Sequence, residues 1–80
     1  MKVTVIVTIK PSILDPQGNT IRRTIAPLGY TAITDLRQGK VFEIEMEEAF
    51  DKKTARKEIN KLAKEVLTNP VIEEYKIIWK

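Results

Sequence analysis

Ala32-Ile33-Thr34-Asp35-Leu36-Arg37-Gln38-Gly39-Lys40-Val41-Phe42-Glu43-Ile44-Glu45-Met46 is the stretch on which the fold turns. Ala32 to Leu36 alternates and carries β-branched residues, Gln38-Gly39 supplies a turn signal, and Val41 to Met46 alternates again, so the stretch reads as a β-hairpin. In its second arm Phe42, Ile44 and Met46 share one face, with Glu43 and Glu45 on the other. Toward the C-terminus, Asp51 precedes a helix from about Lys52 to Leu67, whose apolar positions Ala55, Ile59, Leu62, Ala63 and Val66 recur at helical spacing. Asn69-Pro70 stops it, and Val71 to Trp79 has strand character, with Tyr75, Ile77 and Trp79 on one parity.

Toward the N-terminus, Gly29 closes another helix as a left-handed cap; its expected inward stripe is Ile21, Ile25 and Leu28. Pro27 sits in the last turn, where it removes a backbone donor and predicts a short or tightened end. Asp15-Pro16 starts that helix as N-cap and first helical residue. Before it, Val3, Val5, Val7 and Ile9 hold one parity of a first strand that Pro11 ends. The order β-α-β-β-α-β predicts an α+β, ferredoxin-like sandwich: a four-stranded antiparallel sheet with both helices on one face. The opposite face, expected to stay uncovered, would carry Ile6, Glu43, Glu45, Lys76 and Ile78.

Eighty residues form a single domain, 1–80, with a thin core, for which oligomerisation is a common remedy. The sequence contains neither histidine nor cysteine, which removes imidazole bases, thiolate nucleophiles, disulfides and the usual zinc, haem and iron–sulfur ligand sets. No apolar run approaches the roughly 20 residues that span a bilayer, and no export signal is read, so a cytoplasmic location is expected. Net charge is +3, split as +4 over residues 1–40 and −1 over residues 41–80, less than a nucleic-acid binder normally shows.

Glu43, Glu45, Glu47, Glu48 and Asp51 crowd five carboxylates together without the turn glycines of a hard-cation loop, and read as solvated surface. Lys53, Lys57, Lys61 and Lys64 stripe the second helix, with Glu58 and Glu65 near enough to pair, and read as a solubilising face. An RNA-binding role would need Phe42 turned outward, which by alternation would also expose Ile44 and Met46 and bury Glu43 and Glu45. Gly18, Gly29 and Gly39 are isolated, so no phosphate-cradling loop exists, and Ser12 has no histidine to activate it. No catalytic residue, cofactor site or metal site is expected on this chain. A ligand-sensing regulatory domain of the same fold remains the alternative reading.

Four segments in order add a resemblance. Lys10-Pro11-Ser12-Ile13-Leu14-Asp15-Pro16-Gln17-Gly18, Leu28-Gly29-Tyr30, Leu36-Arg37-Gln38-Gly39-Lys40 and Asn69-Pro70-Val71-Ile72-Glu73-Glu74-Tyr75 resemble the PurS family, the small subunit of phosphoribosylformylglycinamidine (FGAM) synthase. Ser12 stands where that family usually has glycine, and Pro27 where it usually has good helix formers. The resemblance implies a non-catalytic subunit of a purine-biosynthetic ligase complex, homodimeric or in a larger tetramer. It would bridge a PurL-type synthetase, which holds ATP and Mg²⁺, and a PurQ-type glutaminase, assisting ammonia transfer, with no role for nucleic acid or membrane. On that basis the partner contacts are assigned to Asp15, Pro16, Gln17 and Gly18 and to Arg37, Gly39 and Lys40. Asp15, Pro16 and Gly39 also have plain capping or turn duties, and Asn69 and Pro70 are assigned to helix termination.

Overall fold

The computed structural model describes residues 1–48 and 51–80. Strand β1 spans Lys2–Ile9, helix α1 Pro16–Ile25 with a 3₁₀ turn at Ala26–Leu28, strand β2 Gly39–Glu45, helix α2 Lys52–Leu62 with a π turn at Ala63–Leu67, and strand β3 Glu73–Trp79. The sheet has three antiparallel strands in the order β2-β1-β3.

Alternation decides what the central strand buries. Val3, Val5 and Val7 are at most 1% exposed and pack against Ile59 and Ala63 of the second helix, with Phe42, Ile44, Tyr75, Ile77 and Trp79 half-buried around them. The opposite sheet face is uncovered, as the parity predicts, with Glu43, Glu45 and Lys76 exposed around Ile6 and Ile78.

The expected hairpin does not form. Residues 32–36 join no strand, and the predicted fourth strand is absent from the sheet. The hydrogen-bond phase of β2 supplies the reason. Met1 and Met46 exchange both bonds, at 2.9 and 2.8 Å, so the residues of β2 that face β1 are the even ones, Lys40, Phe42 and Ile44. A two-residue turn at Gln38-Gly39 would ask Lys40 to close a bonded pair with Arg37, although its backbone groups already point at Val7. Gly39 also lacks the positive φ that such a turn requires. It is glycine because β1 passes close: a Cβ there would sit 2.6 Å from the Val7 carbonyl oxygen.

The stripe expected to turn inward on α1 does not. Ile21 is 40% and Leu28 71% exposed, Gly18 is the only buried residue of the helix, and none of its residues joins the core cluster, so the core lies between the sheet and α2 alone. Pro27 tightens the helix end into the 3₁₀ turn, and Gly29, at φ 108°, caps it. In the second helix the π turn shifts the inward set: Leu67 packs on the core, whereas Val66, expected inside, is 69% exposed. The C-terminal strand starts two residues later than expected, leaving Val71 exposed in the turn before it.

Candidate assembly site

Everything that joins α1 to the sheet meets at one end of β1. Asp15 is the junction. Its extended backbone (φ −93°, ψ 100°) places it as N-cap, Pro16 fills the first helical position, and one carboxylate oxygen accepts the Gly18 N–H at 3.0 Å. The other oxygen accepts the Gln38 N–H at 2.6 Å, from twenty-three residues along the chain. Asp15 is therefore nearly sealed, 3% exposed, yet both of its oxygens are satisfied. These donors hold its carboxyl below the ordinary value of 3.8: the Gly18 N–H most, then that of Gln38, against the opposing effect of burial, with smaller help from Gln17 and the Arg37 charge.

The surrounding residues lock the same junction. The Gln38 side-chain amide donates to Gln17 Oε1 at 2.8 Å. Gly18 has no room for a Cβ, because the Leu36 carbonyl lies against it, so the returning chain is held tight to the helix start. Arg37 Nη2 donates to the carbonyls of Lys10 and Ile13, at 3.0 and 2.7 Å, and so clamps the loop between β1 and α1. Lys40 Nζ lies 3.8 Å from a Glu73 oxygen, and the other Glu73 oxygen accepts the Asn69 N–H at 2.7 Å.

Beside the junction opens a mostly apolar cleft of about 440 Å³, walled by Ile9, Ile13, Leu14 and Ile72. Of the seven residues assigned to partner contact from the sequence, Asp15, Pro16, Gln17, Gly39 and Lys40 line this cleft, and Gly18 and Arg37 stand behind it. All seven come together. Their exposure divides them: Asp15 and Gly18 are buried, whereas Pro16, Gln17, Arg37, Gly39 and Lys40 are exposed.

Gln38, Ile13, Leu14, Ile72 and Glu73 were not singled out from the sequence, although each lies inside one of the four quoted segments. The signal was the segments themselves, three of which, 10–18, 36–40 and 69–75, meet here.

Chemically, the cleft offers contact surface. Asp15 and Glu73, its two carboxylates, are engaged with backbone N–H groups, and among the described residues no buried side-chain nitrogen or oxygen lacks a partner. No three acidic side chains converge into a cation site among the described residues; Glu43, Glu45, Glu47 and Glu48 are exposed, and Glu48 pairs with the N-terminal ammonium at 2.6 Å. Phe42 packs toward α2, so it presents no outward ring for a base.

Comparison with known proteins gives a consistent result. The chain is 41% identical over 71 residues to the phosphoribosylformylglycinamidine synthase subunit PurS of Mycobacterium leprae, covering 89% of this chain and 85% of that one. Its fold matches crystalline PurS of Methanocaldococcus jannaschii, one of the subunits of formylglycinamide ribonucleotide amidotransferase in the purine biosynthetic pathway, with a TM-score of 0.81 and 35% identity over 96% and 92% of the two chains. It also matches a chain in the structure of PurLQS from Thermotoga maritima, with a TM-score of 0.82 and 34% identity over 96% and 93%. The family model PurS, phosphoribosylformylglycinamidine (FGAM) synthase, matches residues 2–80, and this chain belongs to that family.

Proposed function

We propose that this chain is the non-catalytic assembly subunit of FGAM synthase, acting as one unit over residues 1–80. The complex converts formylglycinamide ribonucleotide, glutamine and ATP into formylglycinamidine ribonucleotide, glutamate, ADP and phosphate. In this reading a homodimer bridges a PurL-type synthetase, which carries ATP and Mg²⁺, and a PurQ-type glutaminase, and helps ammonia pass between them in the cytoplasm. The observation that carries the reading is the cleft: it is apolar, open, and its carboxylates are spent on holding the chain. Leu14, 72% exposed on the cleft, and Gln17 and Lys40 beside it offer surface, while Asp15, Gly18 and Arg37 set its shape. The ligand-sensing alternative is not favoured, because its polar recognition groups would have to be freed from existing bonds.

The order β2-β1-β3, with α2 crossing from β2 to β3 over β1, is that of a ferredoxin-like sandwich lacking one edge strand beside β2, which supports a four-stranded sheet completed only in the assembled protein.

Reconstitution tests the role. Glutamine-dependent FGAM formation is expected only when all three subunits are mixed, with no glutaminase or ATPase activity from this chain alone; equal turnover without it overturns the proposal. Leu14→Asp places a charge on an exposed position outside the core, so the chain should fold within about 0.5 kcal/mol of wild type. Its co-purification with the synthetase and glutaminase should fall.

A further inference from the structure

A subunit that bridges two different partners needs two surfaces that do not overlap. The cleft beside Asp15 lies at one end of the sheet, where β1 ends and β2 and β3 begin, and its walls are apolar. The other end carries a surface of opposite character.

That surface is built on α2. Residues 52–67 hold Lys52, Lys53, Arg56, Lys57, Lys61 and Lys64 against Glu58 and Glu65, a net +4, so the remainder of a chain that is +3 overall is −1. All six cations are exposed. A face that serves solubility alone mixes its signs and pairs them along the helix. Here the expected pairs with Glu58 and Glu65 do not form, and among the described residues none of the six cations joins an ion pair. The signs are also segregated. At about 100° per residue, Lys53, Arg56, Lys57 and Asn60 fall within about 100° of one another, and Glu58 stands about 100° or more from each.

This flank ends in a pocket. A hollow of about 140 Å³ opens between the start of α2 and the end of β3, lined by Met1, Lys52, Arg56, Trp79 and Lys80, with no acidic side chain in its wall. Sites for whole cofactor-sized ligands begin at about 300 Å³, so this one admits a single ionic group. Arg56 offers a planar fork that fits a carboxylate, and the half-buried Trp79 ring walls one side of the hollow with apolar surface. The adjoining acids are engaged: Glu48 pairs with the Met1 ammonium at 2.6 Å, and Asp51 accepts the Thr54 N–H and hydroxyl at 3.2 and 3.1 Å.

We propose that this flank of α2, anchored at the pocket of Arg56 and Trp79, docks an acidic segment of one partner subunit, one of whose carboxylates enters the pocket, and that the cleft is left to the other partner. This rests on the assembly reading and gives its two partners different chemistries, charge at one end of the sheet and apolar contact at the other. Charge complementarity selects the occupant. The same face of a second copy carries like charge and is repelled, and an apolar segment would strip water from Lys52 and Arg56 without supplying an opposite charge.

The three-subunit mixture tests this, with glutamine-dependent turnover followed as this chain is titrated in. Arg56→Glu and Lys57→Glu should each raise the half-saturating concentration by about tenfold or more at about 50 mM salt. Raising the salt to about 300 mM should weaken wild type by a similar factor and the variants much less. Glutamate is a good helix former and both positions are exposed, so both variants should keep the wild-type circular dichroism and melting curve. Lys76→Glu, the same charge change on the uncovered sheet face, should behave as wild type. Carbodiimide coupling, which joins a lysine amine to a carboxylate in contact, should link Lys52, Lys53 or Lys57 to acidic residues of a single partner. No change in Arg56→Glu and Lys57→Glu, an equal change in Lys76→Glu, or links only from lysines outside α2 overturns the docking face and leaves the assembly role standing. Retention of single-stranded RNA that Arg56→Glu abolishes assigns the face to nucleic acid and overturns it too. A wild-type chain that activates nothing overturns both readings.

Discussion

Asp15 shows how much of the arrangement hangs on one carboxylate. It caps α1 and accepts the Gln38 N–H, so it ties the start of α1 to the chain that enters β2. Its folded-state pKa lies below the ordinary 3.8, so the stability it contributes is present above that value and is lost as pH falls through the lower, folded value. Asp15→Asn keeps a single accepting oxygen and no charge. The variant should melt below wild type at about pH 7, and the gap should narrow as the pH is lowered below the ordinary value of 3.8. A gap that stays constant over that range would show that the charge does not matter. Asp15 was legible in the sequence because N-capping is local: Asp before Pro, with Gly three residues on, names the role without any knowledge of the fold. Its second bond was not legible, since nothing in residues 15–18 points at Gln38. The bonds of Arg37 to the carbonyls of Lys10 and Ile13 were not legible for the same reason, since nothing in residues 36–40 points at the loop after β1.

Elements were legible where burial and period agree. The parity of β1, the apolar face of Phe42, Ile44 and Met46, and the start of α2 at Asp51 all hold, because each buries its apolar side against the same core. The fourth strand failed because alternation and a Gln-Gly pair say what a segment can do and are silent on which ladder has already taken its backbone groups. The end of the second helix failed differently. A 3.6-residue period assigns Val66 inward, but the π turn inserts an extra residue per turn and brings Leu67 there. Thr68 holds that turn: its buried hydroxyl donates to the Ala63 carbonyl at 2.7 Å and lies 3.2 Å from that of Lys64. Thr68→Val preserves shape and removes the hydroxyl donor, so the Ala63 carbonyl loses its side-chain bond. It should destabilise the fold by about 1 kcal/mol, read from urea unfolding. An unchanged midpoint would mean that the π turn is set by packing of Leu67 alone.

At the scale of the whole molecule, the core is small for a chain this long. Its buried apolar side chains are three valines of one strand, joined by Ala55, Ile59 and Ala63 of α2 and its π turn, while α1 adds none to the core cluster and leaves Ile21 and Leu28 exposed. Hydrophobic burial of this extent is marginal against the conformational entropy of eighty residues. Association then becomes part of folding: if the native form is a dimer, each tenfold rise in concentration favours it over two unfolded chains by 1.4 kcal/mol, shared between the copies. For a chain of this size that shift raises the melting midpoint by roughly 3–5 °C per tenfold. Calorimetry over two decades of concentration should show this rise. A concentration-independent midpoint for the wild-type chain would mean that the three-strand sheet and α2 are stable alone, and that the dimer forms between copies already folded rather than completing their fold.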